Sequence, residues 1–558
     1  MQITNLDFSR PALIVDDSAI YRTATKSMLQ KLGWDTSRIH FAQDALEAIT
    51  QCRTHNFGLI FADYNLGKKA NGYQLIDELL SRSLITPDCT TVIVTGDATP
   101  EVVKGFIELN PDGYLLKPVN YSTLKQRLPQ FAKKKQALAA VLVALSQQRY
   151  SDAIMLVDRI KSSDEDILAY AQLLKSKALI ELHEHKLAQS ILMSLQSSPE
   201  RDVATLEHAK LKRRLKAYPE ALYLLDTLED NPLLSPQIDE ARADIYADQN
   251  QYQLAIKALG KAIEASPKSI TRLSKQVAYL LANNDFSPAL AAIKKLIQQS
   301  KHSFRNSIQP LYLGASIQLD LAQQHYASKR DMDVVLINQW VSLWRDQYPR
   351  NNYRVFELLL FARASLLQGH ADKAQKLFQE FLDEKLLNQE LSLPTVLKLE
   401  LVKVAYLLKD DDLYRDTVYS LNEEFSQSAT DTDRAMMCYL AKVRVDLERK
   451  GIQVREVKSR VNHFIQNQQY DRAITLLTRP LLDQFADAEI HMLTLQVLTH
   501  CWPTLWRRGD VIKLVMKCKA RLRASKLSDT IEYYEYCTLL SSSFNREIST
   551  QTCQTRKR

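Results

Sequence analysis

Apolar residues in the first 130 positions fall into short runs: Ala12–Val15, Leu59–Ala62, Thr91–Val94 and Gly113–Leu116, with a weaker one over Arg38–Ala42. Runs of four or five bounded by polar residues read as buried strands. Between them, apolar positions recur at helical spacing over Ala19–Leu32, Asp44–Arg53, Gly72–Leu80, Pro100–Leu109 and Ser122–Phe131. Five strands alternating with five helices predict a doubly wound parallel α/β sheet, whose ligands gather beyond the strand C-termini where strand order reverses.

The strand pattern then stops. No glycine follows Pro129 in "PQFAKKKQALAAVLVALSQQRYSDAI", so the last helix is expected to run nearly straight into the next body. There a period of 34 appears: Tyr218, Tyr252 and Phe286, then Ala221, Ala255 and Ala289, then Leu225, Leu259 and Ile293. Ala209 and Ala243 repeat the interval in the preceding helix, and Tyr150 with Ala153 lies two periods upstream. Small residues let paired helices approach, and the aromatic fills the gap beside them. Each pair leaves apolar surface that only its neighbour can bury, which predicts a solenoid. Farther on the period loosens. Ala364, Ala374, Phe378 and Phe381 keep similar slots, Tyr470 and Ala473 restore them, and Leu391–Phe425 and Leu493–Leu522 read as plainer helix pairs.

Composition sharpens this division. Of 12 glycines in 558 residues, seven lie before residue 114, as a loop-rich unit followed by a helical body would require. Apolar content of 46% and charged content of 25% exclude global disorder, and a net charge of +8 is too mild to argue for nucleic acid or anionic membrane. The seven cysteines form no C-x-x-C pair, so neither a zinc site nor a disulfide framework is read, and a cytoplasmic location is expected. "MQITNLDFSR" lacks a signal-peptide pattern, and the longest apolar run, Ala137–Leu145, is too short for membrane insertion.

The chemistry sits at the strand tips. Asp16 and Asp17 follow the first run, Asp63 the second, Thr95 the third, and Lys117 precedes Pro118 after the last. Three converging carboxylates repel one another unless a hard cation intervenes, and Mg²⁺ binds through a few carboxylates while keeping waters for a phosphoryl group. Asp63 can then accept the phosphoryl group, with Lys117 and the Thr95 hydroxyl stabilising its oxygens.

These six residues, in order and spacing, resemble the receiver domain of two-component response regulators, a CheY-like member of the flavodoxin-like folds. The resemblance implies Asp63 as phosphoacceptor, Asp16, Asp17 and the backbone carbonyl of Asn65 as further Mg²⁺ ligands, Thr95 and Tyr114 as switch residues, and a cis peptide before Pro118. The loop "DYNLGKKANG" departs from the family: Gly67 replaces its usual proline, the stretch to Gly72 is one residue longer, and Lys68 and Lys69 add charge. The 34-residue period resembles the tetratricopeptide repeat (TPR). Together the two resemble receiver–TPR regulators, the VieB type among them. The expected organisation is a receiver over 1–132, a TPR-like all-α superhelical solenoid over 137–545, and a basic tail over 546–558.

Other signals are weaker. His183 and His185 are i, i+2 and point to different helix faces, and His208 lies inside a repeat helix beside Ala209, which argues against a phosphorelay histidine. No output-enzyme signature appears, so the chain is expected not to be an enzyme beyond the uptake and loss of phosphoryl on its own Asp63. A sensor histidine kinase or phosphotransfer protein is the expected donor, and output is expected through a protein partner, such as a restrained sensor kinase, on the helical surface, with no DNA contact. A homodimer stays open. In the repeat register, Lys210 and Arg213 beside Glu240 and Asp244 are expected to line the concave wall as one basic and one acidic patch. The alternatives are a transcription regulator whose basic helices touch DNA, and a phosphate sink without separate output.

Overall fold

The computed structural model describes residues 6–67, 70–96, 111–324, 327–368, 370–387, 393–428, 430–478, 488–504, 506–523 and 526–545. The expected helix Pro100–Leu109, the lysines Lys68 and Lys69, and the basic tail lie outside them. The chain divides into two compact units. One comprises residues 1–276 with 298–306, and the other 277–297 with 307–558.

The first unit begins with a five-stranded parallel sheet: β1 (Ala12–Val15), β2 (Ile39–Ala42), β3 (Leu59–Asp63), β4 (Thr90–Thr95) and β5 (Gly113–Leu116), in the order β2-β1-β3-β4-β5. Alternate residues fill two cores. Leu13, Val15, Ile60, Ala62 and Ile93 face α2 (Ala45–Cys52) and α3 (Gly72–Ser81), while Ala12, Ile14, Leu59, Phe61 and Val92 face α1 (Ala19–Leu32) and α4 (Tyr121–Ser146). Strand order reverses at β1, so β1 and β3 are neighbours, with Val15 in register with Ala62. That register puts the residues after both strands side by side, the crevice where doubly wound folds bind ligands.

No loop separates sheet and helical body. The 26-residue α4, with Pro129 inside it, crosses the expected boundary at residues 132–137 as one helix. In the same unit, Arg201–Arg214 packs on Tyr218–Asp226 and Ser235–Asp248 on Tyr252–Ala265. The 34-residue interval is therefore present in three dimensions, with helices starting at Tyr218, Tyr252 and Phe286.

A backbone signature accompanies it. Gln148, His183, Lys216, Asn250, Asn284 and Gln468 all have φ between +56° and +64°, and each stands two residues before a helix start. At Lys216 the N–H donates to Arg213 O and that of Ala217 to Lys212 O; Asn250 and Gln251 do the same to Ala247 O and Tyr246 O. This is the Schellman closure, whose left-handed position usually takes glycine. Here Lys, His, Gln and Asn hold it, so a glycine-poor chain still turns sharply.

The described residues of the second unit form helices and their connections, with no strand among them, and include a 36-residue helix, Asp431–Gln466. Its interior holds charge: Asp320, Arg363, Glu400 and Lys403 are all buried. No helix among the described residues is long and apolar enough to cross a membrane.

Candidate functional site

The polypeptide brings together the residues that were separated in sequence. Asp16 follows β1 and Asp63 ends β3, both 6% exposed, while Asp17 is exposed; one oxygen from each of the three carboxylates lies within 4.8 Å of the others. Local backbone fixes Asp16: its Oδ1 accepts from Ser18 N at 2.8 Å, and its carbonyl from Arg22 Nη1 at 2.5 Å. Lys117, carried past β5, places Nζ 2.8 Å from Asp16 and 2.9 Å from Asp63. The Lys117 N–H donates to Thr95 O at 2.8 Å, which ties the β4 and β5 ends together, and Thr95 is fully buried. The Lys117–Pro118 peptide is cis. Tyr114 stands inside β5, half-buried against the sheet core, and Asn65 is exposed on the loop after β3.

Burial pushes the Asp63 carboxyl above its usual range; Asp16 and Asp17 push the same way, and Lys117 counteracts only in part. Burial also opposes the Lys117 charge, but its bonds to Asp16 and Asp63 prevail and raise its pKa. Lys117 thus pairs with two of the three clustered carboxylates. This cluster of hard oxygen donors fits a divalent cation such as Mg²⁺, for which Asp16, Asp17 and Asp63 would supply ligands.

Two features were not legible in the sequence. Tyr21 covers Lys117, whose Nζ lies 4.3 Å from the ring centroid, and the same aromatic borders a small cavity lined by Thr25, Met28 and Val119. A tyrosine one turn into α1 carries no signal that it will meet a lysine nearly 100 residues later. The second is Gly72, where a Cβ would stand 2.3 Å from Asp63 O. The loop after Asp63 closes by Gly72 N donating to Tyr64 O at 2.8 Å, and only glycine permits that approach.

The four residues expected to form two charged patches are paired with one another and with neighbours. Arg213 Nε donates to Asp248 at 2.7 Å and its Nη1 lies 3.4 Å from Asp244; Lys275 bonds Glu240 at 2.7 Å and Asp244 at 2.9 Å; Lys210 pairs with Glu207 at 3.0 Å. Asp244 is buried. Successive helices one repeat apart present opposite charges, so these groups neutralise each other within the chain.

The raised Asp63 pKa carries a stability consequence. A carboxyl raised above its unfolded value of about 3.9 contributes stability below that pH and loses it as pH rises through the folded pKa. In EDTA at pH 7, Asp63→Asn should therefore melt above wild type, with the gap closing toward pH 4. Equal or lower melting of Asp63→Asn at pH 7 would contradict the assigned electrostatics.

Residues 12–129 match the family model of the response regulator receiver domain. Similar curated proteins include uncharacterized response regulatory proteins from two strains of Staphylococcus epidermidis, 29% and 30% identical over 116 residues that cover 21% of this chain. The chain spans only 44% of the length of each. The transcriptional regulatory protein HptR of Staphylococcus aureus is 25% identical over 192 residues, covering 31% of this chain and 74% of that protein. Similar solved structures include a CheY-like receiver domain protein from Methanospirillum hungatei JF-1, 24% identical, covering 23% of this chain and 96% of that one with a TM-score of 0.21. Another is the chemotaxis response regulator CheY4 of Vibrio cholerae, at 24%, 22%, 98% and 0.20 respectively. Five parallel strands in this order, acids at the tips of β1 and β3, and the family match agree: residues 12–129 are a response regulator receiver domain.

Proposed function

We propose that the chain is a bacterial two-component response regulator, phosphorylated on Asp63 in a Mg²⁺-dependent manner, whose output is protein–protein interaction by a TPR-like helical scaffold. The observation that carries it is Lys117 bridging Asp16 and Asp63 at the switch point of the sheet.

In this reading an Asp63 oxygen attacks the donor's phosphorus. The new O–P bond forms as the bond to the donor's leaving group breaks, and that group departs with the bonding pair. A bound Mg²⁺ would neutralise charge on the phosphoryl oxygens. Lys117, already touching Asp63, is placed to follow the incoming oxygens, and Thr95 at the end of β4 can donate its hydroxyl. The donor would be a sensor histidine kinase or a phosphotransfer protein. The 34-residue recurrence of helices and their Schellman turns supports the TPR-like reading, and TPR-like pairs present surfaces suited to peptides and helices.

The test compares wild type and Asp63→Ala as affinity baits in a lysate of the source organism, each with and without acetyl phosphate and Mg²⁺. A partner captured by wild type in a phosphodonor-dependent manner, and lost or fixed in Asp63→Ala, is expected. Identical capture under all conditions would refute phosphorylation-gated output. Salt-dependent binding to duplex DNA would instead favour the transcription reading that the similarity to HptR raises.

A further inference from the structure

The loop that follows Asp63 is held at both ends by another part of the same compact unit. At its start, Lys268 hydrogen-bonds the Tyr64 hydroxyl, with its ammonium 4.6 Å from the Tyr64 ring centroid. At its end, the Asn71 and Gln74 side chains close a reciprocal cap on α3. The same Gln74 amide donates to Gln299 O at 2.8 Å. Tyr73 is buried and shares a side-chain hydrogen bond with Ser269.

One turn further along α3, Arg305 donates to both Asp77 carboxylate oxygens through Nε and Nη2 at 3.2 Å each, and Nη2 also reaches Ser81 Oγ at 3.2 Å. Arg82 and Arg305 both stand over the Phe304 ring, at 5.7 and 4.9 Å. Tyr73, Gln74, Asp77 and Ser81 follow i, i+1, i+4, i+8 spacing, one stripe of α3.

We infer that Tyr64 and this stripe of α3 form an intramolecular docking surface for Lys268, Ser269, Gln299 and Arg305 of the same compact unit, a clasp that is energetically coupled to what binds at Asp63. The phosphoryl half of this inference rests on the function proposed above. The physical reason is position. Asp63 is followed immediately by the clasped Tyr64, and the backbone of the loop returns to touch Asp63 at Gly72, beside the clasped Tyr73 and Gln74. A cation or a phosphoryl group added to Asp63 must be accommodated by a loop whose two ends are fixed from outside the receiver. Whatever moves that loop strains the clasp, and by reciprocity whatever releases the clasp eases binding at Asp63. Phosphorylation would thus free the face that carries Lys268, Ser269, Gln299 and Arg305, and a partner that takes this face would speed phosphoryl uptake.

The test uses the full chain, with amide hydrogen exchange over residues 64–81 and over 266–276 with 298–306, Mg²⁺ affinity, and the rate of phosphoryl uptake from acetyl phosphate. Arg305→Ala and Lys268→Ala should raise exchange in both segments, tighten Mg²⁺ binding, and speed uptake about fivefold or more, the lower range of typical coupling. The charge swap Asp77→Arg with Arg305→Asp should return all three toward wild type. Unchanged exchange in the single variants, or a swap that restores nothing, would overturn the clasp. Raised exchange with unmoved Mg²⁺ affinity and uptake would overturn the coupling. If wild type itself takes up no phosphoryl group, the proposed function fails, while exchange and Mg²⁺ affinity still decide the clasp.

Discussion

Asp63→Asn should take up no phosphoryl group from acetyl phosphate and Mg²⁺, where wild type gains one that is labile to acid and base. The substitution keeps the shape of the side chain and leaves Lys117 its bond to Asp16 at 2.8 Å, so the site should persist without its nucleophile. Magnitude separates this role from the supporting ones. Removing the Thr95 hydroxyl as Thr95→Val takes away one stabilising donor, which elsewhere costs about 10²–10³ in rate. Residual labelling is therefore expected in that variant and none in Asp63→Asn. EDTA should abolish labelling of wild type, because the clustered Asp16, Asp17 and Asp63 carboxylates repel an incoming dianionic phosphoryl group unless a divalent cation intervenes. Intact-mass measurement reads all three cases, and labelling that survives Asp63→Asn would move the acceptor to another residue.

The receiver was legible because its chemistry is tied to strand ends. Ala12–Val15, Gly113–Leu116 and helix Ala19–Leu32 appear in the structure with the bounds the hydrophobic pattern predicts. The weak run beginning at Arg38 loses its first residue to a short 3-10 turn, Thr36–Arg38, started by Asp35, whose carboxylate accepts from Ser37 N. The expected helix Ser122–Phe131 extends to Ser146, since no glycine interrupts it and Pro129 does not end it.

What escaped the sequence depends on backbone conformation or on distant partners. The turns at Lys216, Asn250 and Asn284 recur at the repeat interval, yet the residue type varies because the shared requirement is positive φ. A search for glycine at helix ends finds nothing there. The clasp on α3 joins residues more than 200 apart, and nothing about Asp77 in "LIDELL" distinguishes it from an ordinary solvated acid.

Arg363→Leu should destabilise the second unit by about 3–5 kcal/mol, the cost of removing one member of a buried ion cluster. Arg363 is fully buried. Its Nη1 lies 3.0 Å from Glu400, and Nη2 pairs with Asp320. Lys403 bonds Asp320 at 2.8 Å and the Tyr439 hydroxyl at 2.8 Å, while Ser316 Oγ donates to Glu400 at 2.5 Å. Two cations balance two anions, so the loss of one leaves a buried carboxylate without its counter-charge. By contrast, Arg415 with Asp412 is a solvated surface pair at 71% and 95% exposure, and breaking it should cost less than about 1 kcal/mol.

The cluster also sets a pH limit. Burial opposes ionisation of Asp320, but Lys403 and Arg363 overcome it and hold its pKa down at about 2. A carboxylate depressed in the folded state contributes stability above its unfolded pKa of about 3.9 and loses it as pH falls toward 2. Because a chain with two compact units need not unfold in one step, amide exchange over Arg350–Gln368 and Thr395–Leu408 measures the effect locally. Protection there should collapse in Arg363→Leu at pH 7, and fall progressively in wild type as pH drops from about 4 toward 2, while β1 and β3 in Arg363→Leu stay protected at pH 7. Full protection of these two helices in Arg363→Leu would mean that Lys403 alone can hold both acids.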